Sequence, residues 1–408
     1  MENSSINETA RRHHGFDALR ALAMLLGIVL HAGVTWMTAR STYVVWVLDR
    51  ESGKPAFDVL VWWIHGWRIP VFFVMAGFFG AMLMARRGVG GFVQHRMKRL
   101  VLPLLIATIT ILPVVYTVWI WGLASEGRVA FEWGRLTLID PELDLAAGDP
   151  AHLWFLWDLV LFSALFAGLS KLRPFRAGPV PSFVRRAVTG IGRPVLFAAP
   201  AVLFFLLIPE LRSFDSHGLV LPPGGLPAKL GQLGRNGWFF GAGVLLYWVR
   251  DSLPILTRGT WTYLISAQII FGATWPALHR TIVNGGIPLS RRDYLVVAFG
   301  LNLFCWLMIF GLVGVALRYF DVDRSWQRWM SDSAYWVYLV HLPMVGALAI
   351  LFRHWPVPPE FKFLAIIVIV SAVTLLSYRY LVRYTAIGRL LNGPRKRTTD
   401  STSRAIST

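Results

Sequence analysis

The sequence predicts an all-α, polytopic membrane protein, a bundle of about ten transmembrane helices. Three observations predict it. Of 408 residues, 55% are hydrophobic and only 15% charged, and the mean hydropathy is +0.54, beyond the range of a soluble domain around one core. Apolar runs of about 20 residues, enough to cross a bilayer, recur along the chain. The basic residues stand in short clusters between those runs, so the formal charge of +18 marks membrane topology and not a nucleic-acid partner.

The runs fall at roughly 17–38, 58–85, 100–122, 151–170, 194–209, 236–250, 258–279, 293–318, 333–352 and 361–384. The fifth and sixth are short for a crossing. Because many others follow it, the first run reads as a retained signal anchor and not a cleaved leader. Basic residues set the orientation. Arg86, Arg87, Arg96, Lys98 and Arg99 follow the second run with no acid among them. Lys171, Arg173, Arg176, Arg185, Arg186 and Arg193 follow the fourth, again without acids. Together with Arg389, Arg395, Lys396 and Arg397 they share one side if both termini are cytoplasmic. Glu126, Glu132, Asp140, Glu142, Asp144 and Asp149, against Arg128 and Arg135, then lie outside. Arg280, Arg291 and Arg292 run against the pattern.

Residues 1–16 are a cytoplasmic N-terminal segment on this reading, and 17–384 form the membrane domain. Residues 385–408 are a basic, disordered cytoplasmic tail drawn to the anionic membrane surface. Cys305 is the single cysteine, so neither an internal disulfide nor a multi-cysteine metal site is available. No metal-binding His pair, P-loop or Gly-x-Ser-x-Gly elbow occurs.

Ionisable residues inside the apolar runs carry the functional information, because charge at membrane depth is costly and faces a bundle interior or a cavity. In "FDALRALAMLLGIVLHAGVTW", Arg20 and His31 are 11 positions apart, close to three turns, so they share a face with His31 about 16 Å deeper. Asp17 lies one turn before Arg20 and is placed to orient it. Arg20 reads equally as a snorkelling topology signal; for His31 an interhelical hydrogen bond is the alternative, and other polar groups at similar depth favour function. His65 and Arg68 stand inside the second run, and Arg68 calls for an anionic partner: a structural carboxylate, for which Asp58 is close in sequence, or a ligand. Arg96 and Arg99, three apart at the start of the third run, project from one face, and paired guanidinium forks suit phosphate. Positive-inside topology explains them as well. His152 opens the fourth run with Asp158 nearly two turns deeper, and His341 lies inside the ninth, open between packing and function. Trp336 suits an interfacial belt.

Taken in order, these pieces resemble the membrane acyltransferase-3 family. The resemblance rests on Arg20 and His31 with ten residues between them, "VFFVMAGFF", Arg96-x-x-Arg99, and the closing "YWVYLVHLP". It covers nearly the whole chain, from Phe16 to Tyr384. "FDALRALAMLLGIVLH", "IHGWRIPVFFVMAG" and "HLWFL" are most similar to the group that succinylates osmoregulated periplasmic glucans.

The resemblance implies an acyltransferase domain over 17–384, in a multi-pass protein of a bacterial-type inner membrane. It implies transfer of an acyl group, succinyl or acetyl, from cytoplasmic acyl-CoA to a hydroxyl of a glycan or similar acceptor. The donor is then a substrate, with no permanently bound cofactor, and the partners are acyl-CoA, the acceptor and the bilayer. His31 would be the base, with Asp17 and Arg20 as an orienting layer. Arg68 would stabilise the oxyanion or hold an acyl carboxylate, Arg96 and Arg99 would bind the donor phosphates, and His65, His152 and His341 are further candidates. A proton- or anion-coupled transporter using the same buried charges is the alternative. Inverted repeats or paired broken helices would mark one, and the sequence displays neither. A non-catalytic scaffold leaves the buried charges unexplained.

Overall fold

The computed structural model describes residues 14–38, 46–49, 51–132, 135–138, 149–172, 180–208 and 225–393. Outside these lie most of the N-terminal segment, Asp140, Glu142, Asp144, Arg173, Arg176, Arg395, Lys396 and Arg397, as do the side chains of Glu132 and Arg135. Apart from one antiparallel hairpin, Val129–Glu132 with Arg135–Leu138, the described elements are helical.

Helix α1 spans His14–Val34, and α2 runs over Pro55–Arg96. A π-helical turn, Met97–Val101, leads into α3, Leu102–Ser125. The short turn Ala151–Leu153 opens α4, Trp154–Leu169. Next come α5 (Ser182–Thr189), α6 (Arg193–Phe205), α7 (Gly225–Trp248) and α8 (Thr260–Val283). The chain closes with α9 (Arg291–Tyr319), α10 (Ser325–Phe352), α11 (Pro359–Ser377) and α12 (Ala386–Asn392).

Among the described residues, six helices are long and apolar enough to cross a membrane, or up to eight if each of two bent pairs is one crossing. The expected ten are not all matched. The second and third runs belong to one helical stretch, Pro55–Ser125, and α8 falls short of the same test. The fifth and sixth runs prove to be parts of bent pairs: α5 meets α6 at 101°, and α7 meets the turn Arg250–Thr257 at 104°.

Helix α7 starts eleven residues before the hydropathy run at 236, because its polar residues face other helices and not lipid. Asn236 donates to Asp158 Oδ2 at 3.0 Å, and Arg235 donates to Asn302 Oδ1 at 3.4 Å while lying over Phe239. Satisfied in this way, amides and guanidinium groups are tolerated inside a bundle.

The basic stretch after the second run, expected as a loop, is helix folded back on itself. Gly88 has φ +66°, a left-handed conformation in which a Cβ is unfavourable. Beyond it the chain returns along α2, bringing Arg96 NH2 to 3.0 Å from where a Cβ on Gly80 would stand. Sixteen residues of straight helix would separate the two by about 24 Å.

Lipid supplies no hydrophobic drive between helices, so close backbone approach does the work. A Cβ on Gly77 of α2 would fall 1.9 Å from Phe240 O of α7, and one on Gly243 of α7 would fall 1.9 Å from Val74 O. The two backbones touch there, with no side chain that could give way. Gly243→Ala should therefore destabilise the bundle by about 1–3 kcal/mol, as overpacking does. A detergent-solubilised thermal melt that stays at the wild-type midpoint would contradict this packing.

Part of the tail assigned to disorder is ordered. In α12 the last carbonyls, Arg389 O and Leu390 O, each accept from Arg99 NH1 at 2.6 Å, a cation at the negative end of the helix. Asn392 Nδ2 adds a bond to Asp332 O at 2.7 Å.

Candidate active site

Gly27 is the pivot of the buried polar centre. It sits on α1 one turn before His31. A Cβ there would lie 2.5 Å from Arg68 NH1 and 3.6 Å from His341 Nε2, so its absence lets a guanidinium from α2 and an imidazole from α10 meet against α1. Arg68 is 7% exposed and His341 2%. The His31 ring centroid is 5.3 Å from that of His341, and the His152 ring centroid is 5.8 Å from that of His341. Four separate elements thus converge: α1, α2, α10 and the turn that opens α4. Arg68, His341, His152 and His65 are all within electrostatic range of His31.

Hydrogen bonds fix the two flanking rings differently. His341 Nδ1 faces two carbonyl oxygens, Val337 O at 3.0 Å and Tyr338 O at 2.9 Å. A ring nitrogen between two acceptors must carry the proton, so Nε2 holds the lone pair. That Nε2 is buried and without a hydrogen-bond partner among the described residues. His152 is reversed: its Nε2 donates to Leu339 O at 3.2 Å, which leaves Nδ1 as the acceptor. Tyr338 donates its hydroxyl to His152 O and ties the start of α4 to α10.

Trp46 packs beside His31, ring centroids 5.8 Å apart, and its Nε1 donates to Thr35 Oγ1 at 3.0 Å. The strand of chain holding it is stapled down. Asp49 accepts from Trp36 Nε1 at 3.2 Å and pairs with Lys362 at 3.5 Å. Leu48 N donates to Glu126 Oε1 at 3.1 Å, and Arg353 faces Glu126 at 3.8 Å.

Other expected residues lie apart from this centre. Asp17 does orient Arg20, at 3.5 Å, but Ser331 of α10 completes the set: Arg20 donates to its Oγ at 3.1 Å, and the hydroxyl donates to Asp17 at 2.9 Å. This layer is about 16 Å from His31 by the helical rise, so Arg20 and His31 share a face without meeting. Asp58 sits in the first turn of α2, accepting from Thr38 N at 3.1 Å, some ten residues and about 15 Å of helix from Arg68. His65 packs on Trp62 with centroids 5.3 Å apart.

Arg96 and Arg99 do not form one fork. Arg99 caps α12, whereas Arg96 lies 5.1 Å over the Phe92 ring, its Nε and NH2 buried without partners among the described residues. Sequence reasoning missed Gly27, Ser331, Tyr338 and Trp46. For Gly27 a signal existed, a residue without a side chain four positions before His31 on the same face.

Among the described residues no group of His, Cys, Asp and Glu is arranged to hold a metal. What the centre offers is a fixed lone pair, a second imidazole and a buried guanidinium. That set can move a proton and stabilise an oxyanion, the two needs of acyl transfer.

Imidazoles and a guanidinium buried together in a multi-pass helical membrane protein suit acyl transfer. The family model described as an acyltransferase domain, acyltransferase-3, matches residues 13–379, and the chain belongs to that family. It is 30% identical over 166 residues to "Glucans biosynthesis protein C" of Escherichia coli O6:K15:H31, a match covering 40% of each chain. To the protein of the same name from Salmonella gallinarum it is 28% identical over 217 residues, 50% of this chain and 52% of that one. The matched stretch thus spans only about two-fifths to half the length of these relatives. No solved structure matches the chain.

Proposed function

We propose that the protein is a membrane O-acyltransferase that moves an acyl group, succinyl or acetyl, from cytoplasmic acyl-CoA to a hydroxyl of an extracytoplasmic glycan. The observation that carries the reading is the meeting of Arg68, His341 and His31 around Gly27. The relatives' name, which refers to glucan biosynthesis, supports a glucan acceptor.

The chemistry follows from the groups present. His31 accepts the proton of the attacking hydroxyl, as a neutral imidazole can through its unprotonated ring nitrogen. The oxygen adds to the thioester carbonyl, and Arg68 stabilises the oxyanion so formed. That addition forms the new C–O bond; collapse restores the carbonyl and breaks the C–S bond, and the proton taken from the hydroxyl ends on the departing sulfur. His152 holds the wall beside His341, and Asp17 with Arg20 forms an inner layer along the donor's path. Acyl-CoA is a substrate in this scheme, and no resident cofactor takes part.

Topology completes the proposal. If Pro55–Ser125 crosses twice and α8 once, the upper count of eight becomes ten. Both termini are then cytoplasmic, in a bacterial-type inner membrane, with residues 17–384 as the catalytic domain. Arg96, whose Nε and NH2 have no hydrogen-bond partner among the described residues, binds the donor phosphate, while Arg99 anchors α12. Arg96→Ala should raise the KM for acyl-CoA by about tenfold, the loss of one charge-assisted bond, with kcat at saturation little changed. An unchanged KM would leave Arg96 a topology signal. The reading as a whole is tested by incubating purified protein with labelled acyl-CoAs and a panel of glycans and following the label by mass spectrometry. No label on any hydroxylated acceptor would sink it.

A further inference from the structure

Acyl transfer from a thioester leaves a thiolate, and an anion without a proton is costly in a buried site. The proton available is the one His31 takes from the acceptor hydroxyl. It has to reach the sulfur, which enters from the cytoplasmic side. With the N-terminus inside, Gly27 lies about 6 Å nearer the cytoplasm than His31 along α1. The group that faces Gly27 there is His341 Nε2.

Three features suit His341 to deliver that proton. Its Nδ1 bonds to Val337 O and Tyr338 O fix the ring, so Nε2 is presented in one direction. Nε2 is buried and unpartnered among the described residues, which a residue serving only to pack the bundle would not require. Its ring centroid is 5.3 Å from that of His31, close enough for one proton-transfer step once the rings align.

We propose that His341 is the proton donor to the leaving thiolate. His31 takes the hydroxyl proton and passes it to His341 Nε2, and His341 gives it to the coenzyme A sulfur as the C–S bond breaks. The acyl carbon exchanges sulfur for oxygen, the proton ends on the thiol, and both imidazoles finish neutral as they began. This inference rests on the acyl-thioester reading of the site.

The test uses His341→Asn, whose amide keeps a donor toward Val337 O and Tyr338 O but has nothing at the Nε2 position. His341→Gln is measured beside it, so that failure of one variant to insert leaves the other to be read. Each is assayed with acyl-CoA and with the acyl thioester of 4-nitrothiophenol, whose thiolate leaves without needing a proton. With acyl-CoA, kcat should fall by about 100-fold at nearly unchanged KM, and with the aryl thioester it should stay within about threefold of wild type. His31→Ala should lose activity on both donors. Equal losses on the two donors, or near wild-type activity of the variants with acyl-CoA, would overturn the role of His341. Wild-type protein that transfers from neither donor would instead overturn the acyl-transfer reading, and this inference with it.

Discussion

Replacing His31 by alanine should lower acyl transfer by about 100- to 10,000-fold, the range of a lost general base. The ring packs near both Trp46 and His341, and no other imidazole occupies its place on α1. Its removal leaves a gap beside Trp46, yet the bonds that tie the neighbouring segment, from Trp46 to Thr35 and from Trp36 to Asp49, do not involve it. Membrane insertion and thermal stability should therefore stay close to wild type while transfer is lost. Activity within a few-fold of wild type, measured at equal amounts of inserted protein, would take His31 out of the mechanism.

Gly27→Ala should cost nearly as much through a single methyl group. The new Cβ would fall 2.5 Å from Arg68 NH1, the far end of a flexible side chain, so the guanidinium moves away and the helices stay in place. Losing one oxyanion donor costs about 100- to 1,000-fold in kcat. Stability should move the other way, since alanine is favoured over glycine inside a helix by about 1 kcal/mol. A more stable, nearly inactive protein is thus the expected result. Because Arg68→Gln removes the same interaction, combining it with Gly27→Ala should add little further loss. If kcat is unchanged in Gly27→Ala, Arg68 does not act from that position.

Much of this architecture was legible from hydropathy and charge. The apolar runs gave the helical membrane bundle, and the 11-residue spacing put Arg20 and His31 on one face of α1. Asp17 beside Arg20 was readable as a pair three residues apart. Hidden from the sequence was everything that depends on a partner far along the chain. Ser331 joins Arg20 and Asp17 from α10, more than three hundred residues away. The start of α7 is hidden because Lys229, Gln232 and Arg235 interrupt the apolar pattern before 236, while in the fold they are buried. Arg96 and Arg99 share a helical face, but the reversal at Gly88 and the docking of α12 send their guanidinium groups to different places. His341 was undecided as a residue in a run. Two carbonyls one turn below it and a glycine on another helix give it a direction.

The proposed reaction joins a donor and an acceptor that meet within the bundle from opposite faces. Protein reconstituted in sealed vesicles of known orientation can be given acyl-CoA on the face that carries the basic clusters and a glucan only on the face that carries Glu126 and Asp149. Labelled ester should then appear on the glucan, and supplying the same two substrates with their faces exchanged should yield none. Transfer only when both substrates share one face would contradict a reaction through the membrane at His31, even with the acyltransferase chemistry intact.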